Sequence, residues 1–198
     1  MNLRPLPRRF YVRDSIELAR DLLGRLLVRE AGGVRMVGRI VEAEAYRPDD
    51  PASHSFRGPT KRNATMFGGP GLAYVYISYG MHNCLNVTAG GGAAVLLRAL
   101  EPITGLEEMA RRRGVADRRL LCAGPGRLCE ALGVSLADDG SDLVTRGGMW
   151  IAAGSPAESV AVSRRIGITT AVEQPWRFLE ADSRFVSRPV SPSSKPRS

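Results

Sequence analysis

Between Pro51 and Leu100 the sequence contains no aspartate or glutamate, although the chain carries 20 acidic residues in all. A stretch of that length without a carboxylate argues against a cationic partner and points to an anionic one. Lysine is scarce too: of 28 basic residues only Lys61 and Lys195 are lysine, and the rest are arginine. Arginine presents a planar fork of donors that suits phosphate. GC-rich codon usage explains part of the bias, yet a net charge of +8 still favours nucleic acid over a membrane surface as partner. The cysteines are Cys84, Cys122 and Cys129, odd in number and without C-x-x-C spacing, and the chain has only 2 histidines. That excludes a zinc site and a disulfide framework, and implies reduced, buried thiols in a cytoplasmic protein. No run of about 18 apolar residues exists to span a membrane, and no apolar N-terminal run reads as a signal peptide. The G-x-x-x-x-G-K-[ST] and G-x-S-x-G patterns are missing as well, so Gly68-Gly-Pro-Gly71 and Gly90-Gly-Gly92 read as turns.

What is present fits one domain. At 198 residues and 43% hydrophobic the chain can bury a single good core. Asp14 or Ser15 caps a first helix whose stripe is Leu18, Leu22 and Leu23, with Glu17 in capping-box position. Leu26 to Glu30 and Val34 to Tyr46 read as two strands joined at Ala31-Gly32-Gly33. Leu72 to Tyr79 and Cys84 to Thr88 form an aromatic hairpin. Ala93 to Leu100 is an apolar strand bounded by Pro102. Thr104-Gly-Leu-Glu107 is a second capping box, opening a helix that ends in Arg111-Arg-Arg113. Those arginines suit either the helix dipole or a phosphate. Pro125 and Gly133 bracket another helix. Leu143 to Ala153, Val160 to Val162 and Trp176 to Leu179 give weaker strand signals. The pattern predicts an α+β fold, a single compact domain with a mostly antiparallel curved sheet, surrounding helices and a protruding β-hairpin. Residues 1–187 form that domain, and 188–198 form a disordered Pro/Ser-rich tail.

The chemistry gathers between Arg39 and Asn86. Glu42, Glu44 and Tyr46 alternate, so they share one strand face. The face is either solvated or a site. One carboxylate beside an arginine could act as a general base on water. Two could hold a divalent metal with Asp49 or Asp50, as in a nuclease. Arg98 lies within an apolar strand and needs an anionic neighbour, so a buried Glu44–Arg98 pair is expected. The connection from Arg47 to Gly71 is 25 residues long, beyond the roughly 12–15 at which a structureless loop suggests function. It contains His54, a residue that alone is more often structural than catalytic. Tyr74 and Tyr76 share a face, which is ordinarily cross-strand packing. Tyr79 falls at the hairpin turn, where it could wedge between bases. In a module that only binds nucleic acid, these tyrosines would simply stack bases.

Taken together, several strings resemble the alkyladenine (3-methyladenine) DNA glycosylase family. They are Val41-Glu-Ala-Glu-Ala-Tyr46, Ala52-Ser-His-Ser55, Arg62-Asn63 with Met66-Phe67, Tyr74-Val-Tyr-Ile-Ser-Tyr-Gly-Met81, Cys84-Leu-Asn86, Val95-Leu-Leu-Arg-Ala-Leu-Glu-Pro102 and Cys122-Ala-Gly-Pro125 with Leu128-Cys129. The resemblance implies a DNA repair enzyme that flips alkylated or deaminated purines out of the duplex and hydrolyses the N-glycosidic bond, leaving an abasic site. It implies Glu44 as general base, with Arg98 helping to place the water. Tyr46 and Tyr76 would stack on one side of the flipped base and His54 on the other. Asn86 would lie at the pocket floor, disfavouring the amino group of normal guanine. Tyr79 would fill the gap in the helix, entered from the minor groove. No cofactor or metal is implied. The partner is double-stranded DNA, and the protein is expected to be a bacterial, cytoplasmic, nucleoid-associated monomer. Neither Lys61 in the loop nor Lys195 in the tail suits Schiff-base attack, which implies a monofunctional enzyme.

Overall fold

The computed structural model describes residues 3–190. The first helix, α1 (Ser15–Leu22), is capped by Asp14, whose carboxylate accepts from the Ile16 N–H at 2.8 Å. That is one residue short of the third helical position a capping box requires, so the cap is Asp14 alone. Leu18, Ala19 and Leu22 bury the inner stripe. Strands β1 (Leu26–Ala31) and β2 (Val34–Tyr46) form a hairpin through Gly32 and Gly33, both with positive φ. Strands β3 (Ala73–Ser78), β4 (His82–Gly90) and β5 (Ala93–Thr104) form the next meander. Helices α2 (Leu106–Arg113), α3 (Arg118–Leu121) and α4 (Pro125–Leu132) follow, and then the short strands β6 (Met149–Ala152), β7 (Val160–Ser163) and β8 (Arg177–Glu180).

Every strand pairing is antiparallel, in one sheet of order β3-β4-β5-β2-β1-β6, with β8 beside β2 and β7 beside β8. The helices α1 and α4 lie against β2, β4 and β5, and the main apolar cluster runs from Tyr11 to Phe178, with smaller ones around Trp150 and around Tyr74. The α+β expectation is therefore met. Strand β2 organises the sheet. Along one edge it pairs with β5. Along the other, β1 takes its first half, and β8 takes Glu42, Ala43 and Glu44.

Three local expectations need correction. Strand β5 does not stop before Pro102 but runs to Thr104. The proline is tolerated because Ile103 drops out of register there, between the pairs Gly38–Pro102 and Val37–Thr104, and a bulge needs no donor from its neighbour. The cap of α2 is not Thr104 but Gly105, at φ 76°. A Cβ on that glycine would lie 2.7 Å from the Met36 side chain, so backbone and packing both demand glycine. The segment 143–153 is strand only over Met149–Ala152. The arginines ending α2 are taken by carboxylates: Arg111 and Arg112 bind Glu108, and Arg113 binds Glu130. Of the predicted tail, residues 191–198 lie outside the described residues, while the carbonyl of Arg188 accepts from Arg177.

Candidate active site

Two irregularities in the β2–β5 ladder build the site. The register passes from Ile40–Leu100 to Glu42–Ala99, then to Ala43–Leu97, so Val41 is the extra residue on β2 and Arg98 on β5. A bulge re-aims the side chain it carries. Here it turns Arg98 onto the face that holds the two glutamates. The Arg98 Nε donates to Glu42 Oε1 at 3.0 Å, and its Nη1 donates to Glu44 Oε2 at 3.2 Å. Both carboxylates are wholly buried. The solvated-face reading of this strand is thus excluded, and the expected Glu44–Arg98 pair is present.

The other donors are as specific. Glu44 Oε2 also accepts from the Tyr46 hydroxyl at 3.0 Å, and Glu44 Oε1 from the Ile166 N–H at 2.8 Å. Glu42 is held by Arg177 Nε at 2.7 Å and by the hydroxyl and N–H of Ser187. Burial pushes the Glu44 carboxyl above its ordinary range, against the lowering effect of Arg98 and the Ile166 N–H. Burial, and then the neighbouring Glu44, push the Tyr46 phenol well up, so it stays a donor. The carboxylates that a metal-dependent nuclease would use are each paired with arginine: Asp50 binds Arg165, Asp49 binds Arg47, Glu42 binds Arg98 and Arg177, and Glu44 binds Arg98. Among the described residues no cluster of three or more His, Cys, Asp or Glu could hold a metal.

A cavity of about 480 Å³ opens against this cluster, in the size range of about 300–1,000 Å³ typical of small-molecule sites. Tyr46, His54, Tyr74, Tyr76, Asn86 and Arg98 line it, with residues 166–170 along one side and Tyr79 at its rim. Six of the seven expected site residues therefore meet at one cavity. Glu44 does not line it: the carboxylate lies behind a wall made by its own partners Tyr46, Arg98 and Ile166.

The aromatic arrangement differs from the one expected. His54 and Tyr76 have ring centroids 4.5 Å apart at 73°. A base between them would need two contacts of about 3.5 Å each, so none fits. His54, Tyr74 and Tyr76 form one wall. His54 Nδ1 shares a hydrogen bond of 2.9 Å with the Tyr74 hydroxyl, which fixes the ring. Burial and the nearby Arg62 lower the His54 pKa, so the imidazole is neutral near pH 7. Asn86 donates from Nδ2 to the carbonyls of Tyr74 and Cys84, at 3.1 and 3.4 Å, which locks its amide. Tyr79 is 83% exposed at the hairpin tip, with φ 51° followed by Gly80 at φ 72°. A positive φ is costly for an aromatic residue and marks a tip held for a purpose.

The long loop is ordered by Asn63, whose Nδ2 donates to the carbonyls of His54 and Gly58 and whose Oδ1 accepts from Thr60. Sequence reasoning missed that hub, as it missed Arg165, Arg177 and Ser187. The last three lie far along the chain from their partners, and no periodicity marks them.

The family model described as "Methylpurine-DNA glycosylase (MPG)" matches residues 9–184. Curated relatives whose provisional name is 3-methyladenine DNA glycosylase include one from Rhizobium johnstonii, 50% identical over 92% of this chain and 89% of its own. Another from Granulibacter bethesdensis is 52% identical over 92% and 87%, and one from Rubrobacter xylanophilus is 54% identical over 83% and 87%. With a tyrosine-lined cavity backed by a buried glutamate–arginine pair, and matched over nearly its whole length, the chain belongs to the methylpurine-DNA glycosylase family.

Proposed function

We propose that this chain is a monofunctional DNA glycosylase that extrudes a damaged purine from duplex DNA into the cavity beside Tyr46 and hydrolyses its N-glycosidic bond. The observation that carries the reading is the union of an aromatic cavity with the buried Glu44–Arg98 pair. A base in the stack cannot present its glycosidic bond, and extruding it costs a few kcal/mol, least where damage has weakened pairing. Tyr46 stacks on one face of the flipped base, and His54 with Tyr76 closes the other side. Electron-poor alkylated purines gain most from such walls. Tyr79, at the exposed tip, enters from the minor groove and fills the vacated place in the duplex.

Glu44 is the general base. Of its two oxygens, Oε2 accepts from both Tyr46 and Arg98 while Oε1 accepts only from Ile166, so Oε1 keeps a lone pair for a water. Substrate entry must shift segment 166–170 to admit that water. Arg98, which does line the cavity, orients it and steadies the carboxylate. Among the described residues no lysine lines the cavity, consistent with water rather than an amine as nucleophile and with an intact strand after base release. The chain works as a monomer on the DNA of a bacterial cytoplasm.

The test is incubation with duplexes carrying 3-methyladenine, 7-methylguanine or hypoxanthine, scoring free base and alkali-labile sites in the presence of EDTA. Release of free base that EDTA leaves intact is expected. Strand cleavage that EDTA abolishes contradicts the reading.

A further inference from the structure

Behind Tyr46 lies a charged group that this mechanism does not use. The side chain of Arg165, two residues past β7, has no exposed surface. Its guanidinium carbon is 4.7 Å from the Tyr46 ring centroid and 5.0 Å from that of Trp176, so the group is stacked between two aromatic faces. Asp50, equally buried, binds it through both oxygens, with Arg165 Nη2 to Oδ1 at 3.1 Å and Nη1 to Oδ2, and Nη1 also donates to the Ala45 carbonyl at 3.1 Å. Propping up one ring does not require this arrangement, since apolar residues of similar volume do so without desolvating two ions. What a guanidinium adds is positive charge on the π face of a ring whose remaining surface borders the cavity.

That charge has a chemical consequence. An aromatic face attracts a cation through its quadrupole. A cation already on one face opposes the approach of a second on the other. Purine lesions divide on this property: N-alkylated nucleosides such as those of 7-methylguanine carry a positive charge, whereas hypoxanthine and ethenoadenine are neutral. Asp50 offsets the guanidinium, so the pair sets a balance between the two classes instead of shutting one out. We infer that Arg165 is a specificity-determining residue, which with Asp50 as counter-charge sets how strongly Tyr46 favours a cationic purine over a neutral one. The inference rests on the reading that Tyr46 stacks on the flipped base.

The experiment compares kcat/KM for release of 7-methylguanine with that for hypoxanthine, in duplexes of otherwise identical sequence. Each variant is expressed as a ratio to wild type, so intrinsic bond lability cancels. Asp50→Asn leaves the cation uncompensated and is expected to lower the cationic-to-neutral ratio by about three- to tenfold, the span of a cation–π contact. The double variant Asp50→Asn with Arg165→Met removes both charges, keeps the bulk behind the ring, and is expected to raise the ratio by a similar factor. A structural role alone would depress both activities together. Shifts in the same direction, or a ratio unmoved in folded protein, overturn the inference. Thermal unfolding identifies which variants fold, and if Asp50→Asn does not, a double-variant ratio no higher than wild type suffices to overturn it. Tyr46→Leu separates this failure from failure of the stacking reading. If that variant excises both bases at the wild-type rate, the stacking reading is wrong. If it loses activity while the Arg165 ratios stand still, only the inference is.

Discussion

Arg98 Nη1 donates to Glu44 Oε2 at 3.2 Å, with the glutamate wholly buried and the arginine side chain 8% exposed. The same guanidinium reaches Glu42, so one cation answers two buried carboxylates. Removing it leaves negative charge without its partner. Arg98→Met should therefore destabilise the fold by about 3–5 kcal/mol, the usual cost of breaking a buried pair from one side. Urea denaturation measures this. A loss under about 1 kcal/mol would contradict that cost.

Glu44→Gln separates chemistry from architecture. The amide keeps the side-chain shape and can still accept from the Tyr46 hydroxyl, but it cannot take a proton from water. Base release should fall by about 10²–10⁴-fold while binding to lesion-containing duplex persists. The pH behaviour follows from the raised Glu44 pKa, caused first by burial. The wild-type rate should climb with pH along a limb above the ordinary glutamate range, and this limb should vanish in the variant. Stability runs the other way. Between the unfolded and the raised folded pKa the native state binds more protons, so Glu44 makes the fold less stable as pH rises through that window. Below the unfolded value this penalty is gone. Glu44→Gln should thus gain on wild type in melting temperature as pH increases across the window, and a flat difference contradicts the assignment.

Tyr79 supplies an opposite combination. It is exposed and sits at φ 51°. Tyr79→Gly should leave thermal stability unchanged or raise it by up to about 1 kcal/mol, because glycine accepts that backbone freely. Excision from a fully paired duplex should drop sharply, and excision of the same lesion opposite a mismatch should drop much less, since less pairing then opposes extrusion. Equal losses on both substrates would remove the wedge role.

Parts of this site were legible along the sequence and parts were not, for identifiable reasons. The alternation Glu42, Glu44, Tyr46 places three side chains on one face through a period of two, and the charge of Arg98 within an apolar run demands a partner. Both are local statements, and both hold. Helix caps depend on backbone angles, which is why Gly105 rather than Thr104 opens α2. The wall shared by His54 and Tyr76 needs a loop and a strand placed in three dimensions, and so does the contact from Arg165 to Tyr46, 119 positions apart by subtraction of their numbers. Pairing of β8 with only three residues of β2 brings Arg177 to Glu42, and no turn or period announces it.

Asn86 tests selectivity rather than rate. Its amide nitrogen is held by two backbone carbonyls, so it cannot swing aside for a purine substituent. Asn86→Ser shortens the side chain at that wall. Release of unmodified guanine, measured as free base from undamaged DNA, should rise, while hypoxanthine release changes by less than about tenfold. Discrimination of this size is within reach, since one misplaced polar contact in a closed site is worth about 1–3 kcal/mol. An unchanged rate on guanine would place the selective contact elsewhere in the cavity.

The last prediction concerns Ser187, which lies outside the cavity yet binds Glu42 through both its hydroxyl and its N–H. Arg177 donates to the same carboxylate from β8, so residues near the C-terminal end fasten Glu42 while Glu42 fastens Arg98. Ser187→Ala removes one of these donors and keeps the backbone N–H, leaving Glu42 to accept from Arg98, Arg177 and that N–H. Stability should fall by about 1.5–3 kcal/mol, the range for a hydrogen bond to a charged group. If this chain of contacts positions Arg98, kcat should fall with KM nearly unchanged, because the substrate is still bound while the water is less well placed. Ser187→Thr, which restores a hydroxyl, should recover kcat. A matched loss of stability with kcat intact would make Ser187 a structural latch alone, whereas loss and recovery of kcat would tie the far end of the chain to the placement of Arg98.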